Sequence, residues 1–169
     1  LEPTSTPRSI IALDFDGTIT TRDTFALFLR YYAGTPRWAA NLVRLLPVFI
    51  AYKLGRIDRH AVKKAVVKRF FGGHDFGKVE ASAKSFAADV IPPLLRPAAL
   101  ARLNTLLTGP NAAPESLYIC SASIGPYLRH WAATIGIPAN RVLATELQSE
   151  NGTFTGLLQG YNVWGENKT

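Results

Sequence analysis

The chain has 169 residues, 47% of them hydrophobic and 18% charged, which suffices for one domain with a sizeable core and excludes disordered, collagen-like and disulfide-scaffold classes. A single cysteine, Cys120, has no partner for an internal disulfide and fits a reducing, cytoplasmic compartment. The net charge of +7 is unevenly placed: residues 22–91 hold 13 Lys and Arg against 5 Asp and Glu, and the rest hold 6 against 7. One segment therefore presents a field able to draw an anionic substrate, a nucleic acid or an acidic membrane surface.

Residues 1–9, LEPTSTPRS, are polar and proline-rich with no apolar run, and read as a flexible lead-in without a signal peptide. Ile10 to Leu13 is apolar and closes on Asp16-Gly17, the pattern of a buried parallel strand followed by a turn. Helical signals follow. Phe25, Phe28, Leu29 and Tyr32 share one face and stop at Gly34, with Asp23 placed as a candidate N-cap. Thr35-Pro36 opens a helix over 37–54 that Pro47 is expected to kink or split. Asp58 caps a third helix ending at Gly72-Gly73, and a fourth runs from about Phe76 to Ile91.

A helix after Pro97 carries Leu100, Leu103, Leu106 and Leu107. A second apolar strand, Leu117 to Ser121, precedes a helix whose start is marked by Ser123, read as its N-cap, and Pro126. Val142 to Ala144 reads as a third strand, and ELQSENGTFTG has the form of a two-residue hairpin around Asn151-Gly152. Strands separated by helices predict an α/β fold with a Rossmann-like parallel sheet. The core is assigned to residues 10–21 and 92–169, and an all-helical cap to residues 22–91.

Ligands of such sheets sit beyond the carboxyl ends of the strands, where Asp14 and Asp16 lie. Residues two apart on an extended chain face the same side, so both carboxylates can address one site while Phe15 turns into the core. Neighbouring carboxylates repel, and a shared Mg²⁺ relieves the repulsion when the substrate brings phosphate oxygens. One aspartate can then attack phosphorus, while the other handles the proton.

The DFDGT run, Asp14 to Thr18, resembles the first motif of the haloacid dehalogenase superfamily. The resemblance implies that Asp14 is nucleophile and Mg²⁺ ligand, and that Asp16 is the proton shuttle, ligating the metal through its main-chain carbonyl. It further implies that Thr18, Ser121 in LYICSAS and Lys168 in WGENKT hold the phosphate, with Asp23 a candidate substrate contact. The helical insertion resembles the cap of the phosphoserine-phosphatase-like branch. FLRYY, LLP and the hairpin before GENK are similar to bacterial phosphatidylglycerophosphate phosphatases.

The acidic fourth motif of that superfamily is absent after Lys168, so the core is expected to lack its C-terminal strands, with the Asp14 strand left at a sheet edge. His60, His74 and His130 lack ligand spacing, and Cys120 reads as a small core residue. The expected function is a Mg²⁺-dependent phosphomonoester hydrolase. Its substrate is a lipid phosphate or a small metabolite resembling phosphoserine or histidinol phosphate. The rival is a catalytically incomplete module whose basic cap binds an anionic partner. A membrane surface suits that cap at its periphery, since Arg37 to Lys53 is too short and interrupted to span a bilayer. Nucleic acid is disfavoured, because the basic residues are spread over several amphipathic helices with no recognition motif.

Overall fold

In the computed structural model, residues 10–110, 112 and 114–160 are described. Strand β1 (Ile11–Asp14) runs into a loop at Phe15–Ile19, closed by Thr20 N donating to Phe15 O at 3.0 Å, and is followed by four helices: α1 (Thr24–Ala33), α2 (Thr35–Lys53), α3 (Arg59–Phe71) and α4 (Phe76–Asp89). The chain then returns through α5 (Pro97–Thr108), β2 (Leu117–Ile124), α6 (Gly125–Thr134), β3 (Val142–Glu150) and β4 (Thr153–Gln159). The sheet order is β1-β2-β3-β4. The first two pairings are parallel and the last antiparallel. Asp14 lies opposite Cys120 in the register, which brings the end of β1 beside the serines of β2.

Helix α2 passes through Pro47 as one element rather than splitting there. Proline removes the bond to the carbonyl of Val43, and both residues are exposed, so water can serve the freed acceptor. The fourth helix stops at Asp89, short of Ile91, and a short 3₁₀ turn follows at Pro92–Leu94. Strand β2 extends to Ile124 and includes Ser123, which is buried in the strand instead of capping α6. Strand β3 joins the expected Val142–Ala144 strand and the first arm of the expected hairpin into one element, which leaves the parallel sheet and continues into the ribbon with β4. Asn151 and Gly152 turn that ribbon at φ 49° and 75°, the positive pair a two-residue hairpin requires.

Cap and core share their packing. Phe28 of α1, Phe86 of α4 and Tyr127 of α6 are each fully buried, with ring centroids 5.1 Å apart in every pairing. Such clusters are worth about 0.5–1.5 kcal/mol per pair beyond area burial. The hairpin forms a second joint. Gly73 N donates to Phe154 O, Phe154 N to His74 O and Phe76 N to Gly152 O, all at 2.8 Å, so the α3–α4 loop pairs with the hairpin as a short ladder.

Gly156 makes this approach possible. At φ +80° it lies so close to α3 that an added Cβ would stand 3.0 Å from the Cα atoms of Gly72 and Lys68. Gly156→Ala combines a left-handed backbone with a contact to rigid main chain. It is expected to lower stability by about 2–3 kcal/mol, read as a fall in the urea midpoint at unchanged m-value.

Candidate active site

Phe15 anchors the turn after β1: its ring is fully buried, 4.7 Å from Trp131. With Phe15 inside, Asp14 and Asp16 are left on the other side, and Gly17 at φ +76° reverses the chain behind them. Both carboxylates line a cavity of about 420 Å³ whose wall includes Asp23, Lys63, Ser121 and Ser123. The core supplies Asp14, Asp16 and the serines; Asp23 and Lys63 come from the cap.

The two aspartates are held differently. Asp14 Oδ2 accepts from the Thr18 hydroxyl at 3.2 Å. Asp16 is gripped from two sides: Oδ1 accepts from Thr24 N at 2.7 Å and Thr24 Oγ1 at 2.6 Å, and Oδ2 from Ser121 Oγ at 3.0 Å and Ser123 Oγ at 2.5 Å. These four donors match the lone-pair capacity of a carboxylate. Tyr127, fully buried, has its hydroxyl 3.0 Å from Thr24 Oγ1; burial, then the nearby Asp16 charge, pushes its phenol well above the usual range.

Thr24 therefore joins the first cap helix to the core through Asp16. Thr24→Val keeps the shape and removes the hydroxyl, leaving both Asp16 Oδ1 and the Tyr127 hydroxyl short of a partner. A loss of about 2–3 kcal/mol is expected by chemical denaturation, the scale of a hydrogen bond to a charged group.

Lys63 reaches the cavity from α3. Its Nζ donates to the carbonyl of Ala122, between the two serines, and lies 3.9 Å over the Phe25 ring. Burial lowers its pKa to about 8, a shift opposed by the carboxylates of Asp23 and Asp16. Asp23 serves as N-cap, accepting from Ala26 N at 2.9 Å, and also lines the cavity. Lys168 lies outside the described residues.

Comparison with known proteins follows the same lines. The sequence model of the haloacid dehalogenase-like hydrolases matches residues 11–169. The chain belongs to that family. It is 35% identical over 164 residues to protein CicA of Caulobacter vibrioides, covering 94% of this chain and 68% of CicA. A protein of unknown function from Bordetella pertussis Tohama I superposes with a TM-score of 0.77 at 20% identity, over 96% of this chain and 71% of the other. A phosphoserine phosphatase solved as a phospho-aspartyl intermediate analogue superposes with a TM-score of 0.56 at 16% identity, over 90% and 63%. The fold is thus that of the phosphoserine-phosphatase-like branch.

In this haloacid dehalogenase-like hydrolase, sequence reasoning had no place for Thr24, Lys63 or the hydroxyl of Tyr127, and read Ser123 only as a helix cap. Ser123 carried a usable signal: like Asp14 and Asp16, Ser121 and Ser123 are two apart on a strand. Lys63 carried none, because only the packing of α3 against β4 brings its long side chain within reach of Ala122. Among the histidines, His130 Nε2 lies 3.0 Å from Glu80 and His74 Nδ1 lies 2.6 Å from the Tyr32 hydroxyl. Among the described residues no three His, Cys, Asp or Glu side chains gather as a metal cluster, and no helix is long and apolar enough to cross a membrane.

Proposed function

We propose that this hydrolase is a Mg²⁺-dependent phosphomonoester phosphatase. The observation that carries the reading is that Asp14 and Asp16 line one cavity together with the cation Lys63. An Asp14 carboxylate oxygen attacks phosphorus, and the alcohol departs with a proton from Asp16. Asp16 then takes a proton from the water that cleaves the aspartyl-phosphate, releasing inorganic phosphate and restoring the Asp14 carboxylate. Because donors fill the Asp16 carboxylate, it acts on a proton only after exchanging one of its four hydrogen bonds.

The donors suit Mg²⁺, which is content with one or two protein oxygens, waters and substrate phosphate. The Asp14 carboxylate and the Asp16 main-chain carbonyl would hold it; when bound, the ion offsets the charge gathered at the phosphate. Lys63 and, in the family's manner, Lys168 supply further positive charge. Ser121 is the phosphate-binding serine of the family motif, and its hydroxyl has to turn from Asp16 to play that part.

The substrate is a phosphate monoester of either a lipid or a small metabolite of the phosphoserine or histidinol-phosphate kind. An exposed apolar line on α2, formed by Val43, Leu46 and Ile50 and continued by Leu54 just past its end, favours the lipid arm. Phosphate release from an aryl phosphate is expected with Mg²⁺ and is expected to fall to background with EDTA, returning on Mg²⁺ addition. Unchanged turnover in EDTA overturns the metal assignment. Turnover of detergent-dispersed lipid phosphate against soluble phosphoesters then separates the substrate classes.

A further inference from the structure

A second cleft, of about 1020 Å³, opens in the cap and shares no lining residue with the Asp14 cavity. Four cations from three helices border it: Arg37 and Arg44 of α2, Arg69 of α3 and Lys78 of α4. Arg37 and Arg44 are seven apart, two helical turns, and so stand on one face of α2. Arg69 is already oriented, its Nε donating to Asn41 Oδ1 at 2.9 Å, which aims the remaining fork of the guanidinium. The acid in the lining is Asp75, and its Oδ1 is engaged by Lys78 N as the N-cap of α4.

The ion pairs among the described residues are Arg129–Glu146 and His130–Glu80, so none of these four cations is neutralised by one. Their fields converge. His74, in the same cleft, is lowered from its ordinary pKa by burial first and then by Arg37 and Lys78. Tyr32, which faces His74, is raised by burial and by the charge of Asp75. Four like charges collected at one cleft against the single carboxylate of Asp75 repel each other, and a polyanion relieves that repulsion. Guanidinium groups match phosphate oxygens in pairs, so the ligand chemistry is a phosphate group rather than a lone carboxylate.

We propose that the cap carries a second, non-catalytic anion site, built by Arg37, Arg44, Arg69 and Lys78, that takes a phosphate-bearing group. The lining holds one carboxylate, Asp75, committed through Oδ1 to the α4 N-terminus, and not the paired aspartates of the other cavity, so the group is bound and not hydrolysed. The site stands apart from the phosphatase reading, and the Asp14 cavity can fail its own test without affecting it. Its ligand is the phosphate of a soluble compound or of a lipid headgroup.

The test uses the intact chain without divalent metal and the His74 imidazole resonance as a local reporter. Titration with inorganic pyrophosphate is expected to saturate and to move the His74 titration back up, as the bound anion offsets Arg37 and Lys78. The double variant Arg44→Gln, Arg69→Gln is expected to weaken binding at least about tenfold with aryl phosphate turnover retained. Arg37→Gln with Lys78→Gln repeats the test should the first pair disturb the fold by circular dichroism. In parallel, sedimentation with phosphatidylglycerol and phosphatidylcholine vesicles reads the lipid arm. Anionic-vesicle binding lost in the variants assigns a headgroup, and pyrophosphate binding alone assigns a soluble phosphate. Saturable pyrophosphate binding that leaves His74 unmoved, equal binding by the variants, or no binding of either probe overturns the proposal.

Discussion

Asp14→Asn is expected to reduce phosphate release by at least about 10⁴-fold while leaving the protein folded. The substitution preserves size, and the amide oxygen can still accept from Thr18, whose hydroxyl holds Asp14 Oδ2 at 3.2 Å. What is lost is the nucleophile, since a neutral amide does not attack phosphorus, together with the negative oxygen offered to Mg²⁺. The pair of measurements is turnover of an aryl phosphate and the urea midpoint. Full turnover in the variant removes the aspartyl-phosphate pathway, whereas lost turnover with an intact midpoint assigns the chemistry to this carboxylate.

Lys63→Met is expected to move activity and stability in opposite directions. Folding lowers the Lys63 pKa from 10.5 to about 8, chiefly by burial. The unfolded chain thus holds the proton up to the higher value and the folded chain releases it at the lower. Stability from this group therefore rises with pH between about 8 and 10.5, and below 8 the folded state bears the full cost of a buried charge, on the order of 3 kcal/mol. Methionine fills similar space without charge, and the Ala122 carbonyl keeps its bond from Thr145 Oγ1 at 2.8 Å. A gain of about 1–2 kcal/mol at pH 7 is expected, with the alkaline slope of stability reduced.

Catalysis goes the other way. With Lys63 lining the same cavity as Asp14 and Asp16, its ammonium is placed to attract the phosphate dianion. Its removal is expected to cut kcat/KM by about 10–100-fold, the worth of one charged hydrogen bond. In the parent protein kcat/KM is expected to decline as pH passes 8, and in the variant that decline is expected to vanish. Denaturation at pH 7 and pH 9.5, with kcat/KM across the same range, decides it. A variant that loses stability and keeps its kinetics makes Lys63 only a tie to Ala122.

The helices of the cap were legible because their ends are written locally. Asp23 and Asp58 each accept from the amide three residues on, and Gly34 and Gly72 follow the last turns of α1 and α3. The strand bearing Asp14 was legible from its unbroken apolar run. The hairpin arms were legible from ELQSENGTFTG, but that the first arm continues β3 without a break was not, since Glu146, Gln148 and Ser149 interrupt the apolar run. Of the site, the DFDGT motif announced the two carboxylates, but not how they are held. The grip on Asp16 joins residues up to 107 positions apart in the sequence, and no local pattern encodes that.

The ladder between the α3–α4 loop and the hairpin bears on how the molecule comes apart. Three main-chain bonds there, the Phe28–Phe86–Tyr127 cluster and the Thr24–Asp16 grip fasten the helices α1–α4 to the sheet and its neighbours at separate points. A cap hung on two strand connections alone could melt by itself, and denaturant would then reveal two steps. One tied at three places shares its cooperativity with the sheet, so both lobes should be lost in a single transition. Breathing then belongs to segments outside these ties, and α2 takes part in none of the three.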